Sequence, residues 1–299
     1  MEEAKKMYFI YNPHSGRGQL RTKLFNVLQI FSDAGYELTV HPTRERKDAT
    51  WRIANLPDGY DLVVCSGGDG TMDEVVEGMM QRNRKIPIGY IPSGTINDFA
   101  RSLKIPRNME NAARIAVEGT EFPFDIGTFN EEHFVYIAAF GIFTDVAYST
   151  RQDIKNVLGH MAYLLEGVKR LTNIPSYHIK LRSRELEAEG DFIFGMVTNS
   201  RSVGGFKSII GRKVQFDDGV FEATFIRMPK NPAELQEILA AILLKEINSQ
   251  YMYSFRTCEL IVEADHPVPW TLDGEYGGEC VSALICNHQK ALTIKIPNL

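Results

Sequence analysis

Along the first half of the chain, short apolar runs of strand length alternate with stretches whose apolar residues recur at helical spacing. The runs are Met7–Tyr11, Tyr36–Val40, Leu62–Cys65 and Ile86–Ile91. The first and third are continuous rather than alternating, as strands covered on both faces are. Between them, Leu20, Leu24, Val27, Leu28 and Phe31 predict one helical face that stops near Gly35, and residues 48–56 predict a second helix. Met72, Val75, Val76, Met79 and Met80 predict a third, with further helix over 99–103 and 111–118. Strands and helices in this alternation predict a parallel sheet joined by crossover helices.

Beyond Phe124 the pattern changes. Residues 133–139, 177–182, 191–198, 220–227, 257–263, 280–285 and 292–296 read as strands, several of them alternating apolar with polar as antiparallel strands with one wet face do. Helices are expected over 153–171 and 232–247. The first has Ile154, Val157, Leu158, Met161, Leu164 and Leu165 on one side and Arg151, Lys155, Lys169 and Arg170 at its ends. A packed helix with solvated ends and a lipid-facing helix both fit it. The boundary falls near Phe124–Gly127, giving an α/β domain over 1–125 and a β-rich, sandwich-like domain over 126–299, with an active site expected in the cleft between them.

The totals narrow the classes. A chain of 299 residues has room for two domains, and 44% hydrophobic with 24% charged residues is ordinary for a soluble protein. No apolar stretch approaches the ~18 residues that cross a bilayer. The polar start Met1-Glu-Glu-Ala-Lys-Lys6 runs straight into a strand and reads as no signal peptide, so a cytoplasmic protein is expected. Cys65, Cys258, Cys280 and Cys286 lack metal-ligand spacing and read as free thiols before disulfides. A net charge of −5 argues against a general nucleic-acid binder. It leaves open a local basic patch that meets anionic lipid at the inner face of a membrane.

Three polar loops follow strands one, three and four: Asn12-Pro-His-Ser-Gly-Arg-Gly18, Gly67-Gly-Asp-Gly-Thr71 and Pro92-Ser-Gly-Thr-Ile-Asn-Asp98. Ligands of open α/β sheets bind outside the carboxyl ends of the strands, so these loops are expected to converge. Glycines let backbone N–H groups approach an anion, and the helix after Gly67–Thr71 adds a positive partial charge, which together point to phosphate. No Gly-x-Gly-x-x-Gly opens a helix and no Gly-Lys-Ser/Thr is present, so this is neither a dinucleotide fingerprint nor a P-loop. An acidic residue in a phosphate cradle needs a divalent cation between them, making Asp69 a metal or catalytic carboxylate. Asp98, Asp125, Asp273 and Glu275 are further acidic candidates; each alone is more often a turn or cap residue than a catalyst.

Taken together, Asn12-Pro-His-Ser-Gly16, Gly67-Gly-Asp-Gly-Thr71, Ser93-Gly-Thr-Ile-Asn-Asp-Phe-Ala100 and Leu272-Asp-Gly-Glu275 resemble the diacylglycerol kinase catalytic-domain family, which includes soluble bacterial diacylglycerol kinases and sphingosine kinases. The resemblance implies an ATP-dependent kinase that phosphorylates the primary hydroxyl of diacylglycerol or a similar lipid, giving a phospholipid such as phosphatidic acid. It implies ATP binding by Asn12, Pro13, His14, Ser15, Gly16, Thr43, Gly67, Gly68, Asp69, Gly70, Thr71, Met72, Asp73 and Thr95. Asp69 and Asp98 would organise a catalytic Mg²⁺, Asp125 would support it through water, and Glu275 would be the general base. A structural Mg²⁺ is implied at Asp218 with the carbonyls of Gln215 and Val220. Asp73 departs from the family, which usually has Asn there. The implied partner is a lipid at a membrane surface, with peripheral membrane contact, no nucleic acid, and a homodimer left open.

Two other classes stay in view. A similar glycine turn occurs in kinases of soluble substrates such as NAD, although Leu272-Asp-Gly-Glu275 and the loop at Asn12–Gly18 fit the lipid family better. A nucleotide- or lipid-binding protein without turnover draws support from Asp73.

Overall fold

In the computed structural model, residues 4–18, 20–95, 97–142, 174–199, 215–244 and 250–298 are described. The helix expected over 153–171, and Lys213 and Val214 of the second implied metal loop, lie outside them. The chain divides into two units: Met1–Ile126 together with Gln289–Leu299, and Gly127–His288.

The first unit is built on strands that bury both faces. β1 (Lys5–Tyr11), β2 (Tyr36–Pro42), β3 (Leu62–Gly67) and β4 (Ile88–Pro92) pair in parallel, in the spatial order β4-β3-β1-β2. All six residues of β3 and all five of β4 are buried, which is why their sequences run continuously apolar. Helices α1 (Leu20–Asp33), α2 (Asp48–Ala54), α3 (Asp69–Met80), α4 (Asp98–Ser102) and α5 (Met109–Glu118) connect the strands. α2 packs on α3, and α1 on α5. The apolar stripe of α3, Met72, Val75, Val76 and Met79, is buried, as its spacing predicts. α5 starts at a capped Asn108, whose side chain accepts from the Asn111 N–H.

The second unit is antiparallel. After β5 (Thr120–Phe129), β6 (Glu132–Phe134) and β7 (Ile137–Gly141) come β8 (Tyr177–Arg182), β9 (Glu187–Thr198), β10 (Phe221–Arg227), α6 (Pro232–Leu244), β11 (Met252–Thr257), β12 (Glu259–Leu272) and β13 (Glu275–Ile296). The order runs β11-β10-β9-β7-β12-β13. β7 pairs with the ends of β9 and β12 that carry Phe194–Thr198 and Trp270–Leu272, while β8 pairs with their other halves. The ladders join these strands into one sheet rather than two separate ones. Its core is aromatic: Trp270 lies 4.9 Å from Phe140 and 4.8 Å from Phe129, and Phe134, Phe192, Phe221 and Phe225 surround them.

Four boundaries differ from the sequence reading. The expected strand over 133–139 is broken into β6 and β7 at Val135 and Tyr136, because the Asp273 carboxylate takes both of their N–H groups. The separate strands expected over 280–285 and 292–296 are one, β13. Its last residues belong to the first unit, where Leu292, Ile294 and Ile296 are buried and Ile294 pairs in parallel with Ile88 of β4. The division at 125/126 is therefore corrected: 289–299 complete the first sheet, since β4 would otherwise end it with an unpaired edge. Gly70 and Thr71, read as turn, form the first turn of α3.

Candidate active site

The three polar loops meet at the carboxyl ends of β1, β3 and β4. The Asn12 N–H donates to the Ser66 carbonyl (2.9 Å), and the Ser93 N–H to the Gly67 carbonyl (2.8 Å). Asn12 also turns its own loop, accepting from the His14 N–H at 2.9 Å through Oδ1, while its Nδ2 lies 3.4 Å from the Thr71 hydroxyl. The Thr43 N–H bonds the Tyr11 carbonyl (2.8 Å), which sets Thr43 at the end of β1. The approach of the loops depends on missing side chains. A Cβ on Gly94 would sit 2.5 Å from the Gly68 Cα, and one on Gly16, whose φ is +57°, would sit 1.9 Å from the Ser93 carbonyl oxygen. Asn97 closes the third loop, accepting from the Gly94 N–H (3.0 Å) and donating to its carbonyl (2.8 Å).

Asp69 is the first residue of α3 and lies where these loops meet. Its Oδ2 accepts from the Asp98 N–H at 3.3 Å, while its Oδ1 is buried without a partner. Burial, and then the charge of Asp98, push the Asp69 carboxyl up to about 6, against the opposing effect of backbone N–H groups at Asn97, Asp98 and Phe99. Asp98 is itself buried, with the Arg101 guanidinium 3.5 Å from its Oδ1. A buried Asp98 carboxylate beside a half-buried Asp69 whose Oδ1 is enclosed and unsatisfied, set between glycine loops, suits a divalent oxygen-bound cation that keeps water and phosphate among its ligands. Among the described residues no cluster of three or more His, Cys, Asp or Glu side chains offers a full protein cage.

The remaining expected residues divide. Pro13, Ser15 and Gly16 lie in the first loop with the exposed His14; Gly67 ends β3 and Gly68 is the N-cap of α3; Asp73 is half-buried on α3. The Met72 side chain is wholly buried, and its N–H bonds the Gly68 carbonyl (3.1 Å), so it serves the core of α3. Thr95 is exposed, and its carbonyl accepts from Arg107 at 3.1 Å. Asp125 is fully buried, its Oδ1 accepting the Lys290 N–H at 2.8 Å; it holds the start of the returning strand inside the first unit. Glu275 is an exposed residue of the second unit, at the first position of β13. Asp218 is already engaged: Arg256 pairs with its Oδ2, and the Val220 N–H lies 3.3 Å from its Oδ1. Gln215 is exposed, and residues 200–214 ahead of it lie outside the described ones, so the metal implied at this loop stays an expectation of the resemblance.

Two residues stand outside the set the sequence assigns to the site. The hydroxyls of Ser66 and Ser93 are buried beside Asp69's loop without partners. A buried, unsatisfied polar atom is costly, and three of them at one set of strand ends mark a place built for a ligand. The only signal available was their position, each just after an apolar strand.

Among the described residues no helix is long and apolar enough to cross a membrane. Residues 6–129 match the family described as the diacylglycerol kinase catalytic domain. The diacylglycerol kinase of Bacillus subtilis is 34% identical over 277 residues, 92% of this chain and 91% of the relative. That of Staphylococcus aureus is 29% identical over 296 residues, 98% and 93% of the two. A crystal structure of a Bacillus anthracis protein superposes with a TM-score of 0.81 at 25% identity, covering 99% of this chain and 96% of that one. With its glycine loops, its acidic pair and this likeness along nearly its whole length, the chain belongs to the diacylglycerol kinase catalytic-domain family.

Proposed function

We propose that the protein is an ATP-dependent lipid kinase that transfers the γ-phosphoryl group of ATP to the primary hydroxyl of diacylglycerol or a similar lipid alcohol, acting from the cytoplasm at a membrane surface. The observation that carries this reading is the buried, unpartnered oxygen of Asp69 beside Asp98 and the three glycine loops. The names of the relatives support the lipid acceptor. Phosphoryl transfer is mostly a matter of position and charge, and these loops supply both.

In this reading the backbone around Gly16, Gly67, Gly68 and Gly94 approaches the phosphates, with Asn12, Thr43, Thr71 and the hydroxyls of Ser66 and Ser93 as polar contacts. Asp69 and Asp98 would hold Mg²⁺, which when bound offsets negative charge on the phosphates. Asp125 acts through the backbone it fixes at Lys290. Glu275 accepts the proton of the lipid hydroxyl as its oxygen bonds to the γ-phosphorus and the bond to ADP breaks.

The test is transfer of label from ATP to mixed-lipid micelles with Mg²⁺, followed by identification of the lipid that gains phosphate. Asp69→Ala and Glu275→Ala are expected to abolish transfer. Label appearing in no lipid, or only on a soluble acceptor, overturns the lipid-kinase reading, whereas full activity in Glu275→Gln removes Glu275 as the base.

A further inference from the structure

Glu275 stands one residue past a hairpin tip whose backbone is held by an unusual number of bonds. Asp273 and Gly274 form the two-residue turn between β12 and β13, with φ values of +51° and +85° and with Leu272 paired to Glu275 across it. Positive φ at both positions is the type I′ hairpin turn, for which Asp-Gly is a favoured sequence. Such a turn alone leaves the tip free to move. Here it is fastened. The buried Asp273 carboxylate accepts three successive backbone N–H groups, from Val135 at 2.5 Å and from Tyr136 and Ile137 at 2.9 Å each. The Asp273 N–H donates to the Ile137 carbonyl and the Tyr136 hydroxyl to the Asp273 carbonyl, both at 2.9 Å.

The segment that receives these bonds is anchored in turn. The Tyr136 carbonyl accepts from the Thr198 hydroxyl at 2.5 Å and the Asn199 N–H at 3.0 Å. Neighbouring Leu272 and Thr271 pair with Ala138 and Ala139 of β7. The result is a rigid root beneath an exposed side chain.

Building on the reading of Glu275 as the base, we infer that Asp273 is the positioning residue for Glu275, fixing the backbone from which that carboxylate reaches the acceptor hydroxyl. A displacement near 1 Å at a reacting group costs about a hundredfold in rate, and a site is only as accurate as the groups that support it. Asparagine at 273 keeps the size of the side chain, but it turns an NH₂ toward one of the three N–H donors. The tip then loosens while β12 and β13 stay paired.

The experiment compares Asp273→Asn, Glu275→Gln, the double variant and Tyr136→Phe in full-length protein, with kcat corrected for the folded fraction from urea unfolding. Asp273→Asn is expected to lower kcat about a hundredfold with the KM for ATP unchanged. In the Glu275→Gln background it is expected to add no further loss, because both changes act through one group. Tyr136→Phe removes a single tie, so its smaller fall in kcat, severalfold with KM for ATP held, reads the same effect in a mild variant. Wild-type kcat in both Asp273→Asn and Tyr136→Phe, with Glu275→Gln inactive, overturns the inference and leaves the base assignment standing. Additive losses in the double variant, or losses wholly accounted for by unfolded protein, overturn it too. Full turnover in Glu275→Gln overturns the base assignment instead.

Discussion

Asp69 in the first unit, half-buried with its Oδ1 enclosed, and the buried Asp273 in the second both stand at the ends of strands, and their surroundings are opposite. Asp273 has backbone N–H donors on both oxygens; Asp69 has one oxygen with none, and the carboxylate of Asp98 beside it. Burial of a charge is tolerated when it is fully hydrogen-bonded and costly when it is not. The first arrangement adds to the fold, and the second spends stability to keep an oxygen available. Satisfaction separates architecture from chemistry here better than burial or sequence motif does.

The comparison is sharpened by substitutions that should move activity and stability in opposite directions. The largest expected effect is on turnover: Asp69→Asn is expected to lower phosphate transfer by about three orders of magnitude, measured with labelled ATP. The same variant should be more stable than the parent without a cation. The Asp69 carboxyl is raised from its ordinary value of 3.8 to about 6, so its ionised form destabilises the fold, from pH 4 upward and fully above pH 6. A gain of about 3 kcal/mol at pH 8, vanishing near pH 4 in urea titrations, is expected; an equal difference at both pH values would break the contrast.

Asp273→Ala should do the reverse. Three buried N–H groups lose their acceptor, and a loss of about 3 kcal/mol or more is expected in the same titrations. Trp270→Ala supplies the scale for the second unit, with about 3–5 kcal/mol expected from opening its aromatic core.

The smallest expected effect concerns Glu222 of β10. Burial, and then Asp218, raise its carboxyl to about 7 against the pull of Arg256. Glu222→Gln is expected to gain about 1 kcal/mol above pH 7. The gain should shrink as pH falls toward 4.5, where the native carboxyl is neutral.

Much of the first unit could be read from sequence because its signals are local. A strand buried on both faces writes an apolar run, and a loop whose backbone is closely approached by another writes glycine; Leu62–Thr71 does both in ten residues. What escaped reading depended on distant partners. The polar stretch Asn287-His-Gln-Lys290 looks like a break between strands, and only Asp125, far back in the chain, explains how β13 continues through a Lys290 with φ of +53°. β11 escaped although Tyr253 and Phe255 alternate with exposed polar residues, because six residues give that alternation little room to repeat. In the site, Asp69 and Asp98 announced themselves through the glycines around them. The unpartnered hydroxyls of Ser66 and Ser93 did not, since serine in a turn is common. Asp273 carried its hairpin in the Asp-Gly pair, but its three donors lie in Val135–Ile137, where the sequence shows only apolar residues.

The return of residues 289–299 to the first sheet has a consequence for how the protein is made. A ribosome finishes 1–126 long before it reaches Ile294, the residue that pairs with Ile88. Until then the nascent β4 carries a bare edge, an invitation to pair with other chains. The first unit to be translated is thus the last to be sealed, and fragments ending at 126 should aggregate where the full polypeptide does not.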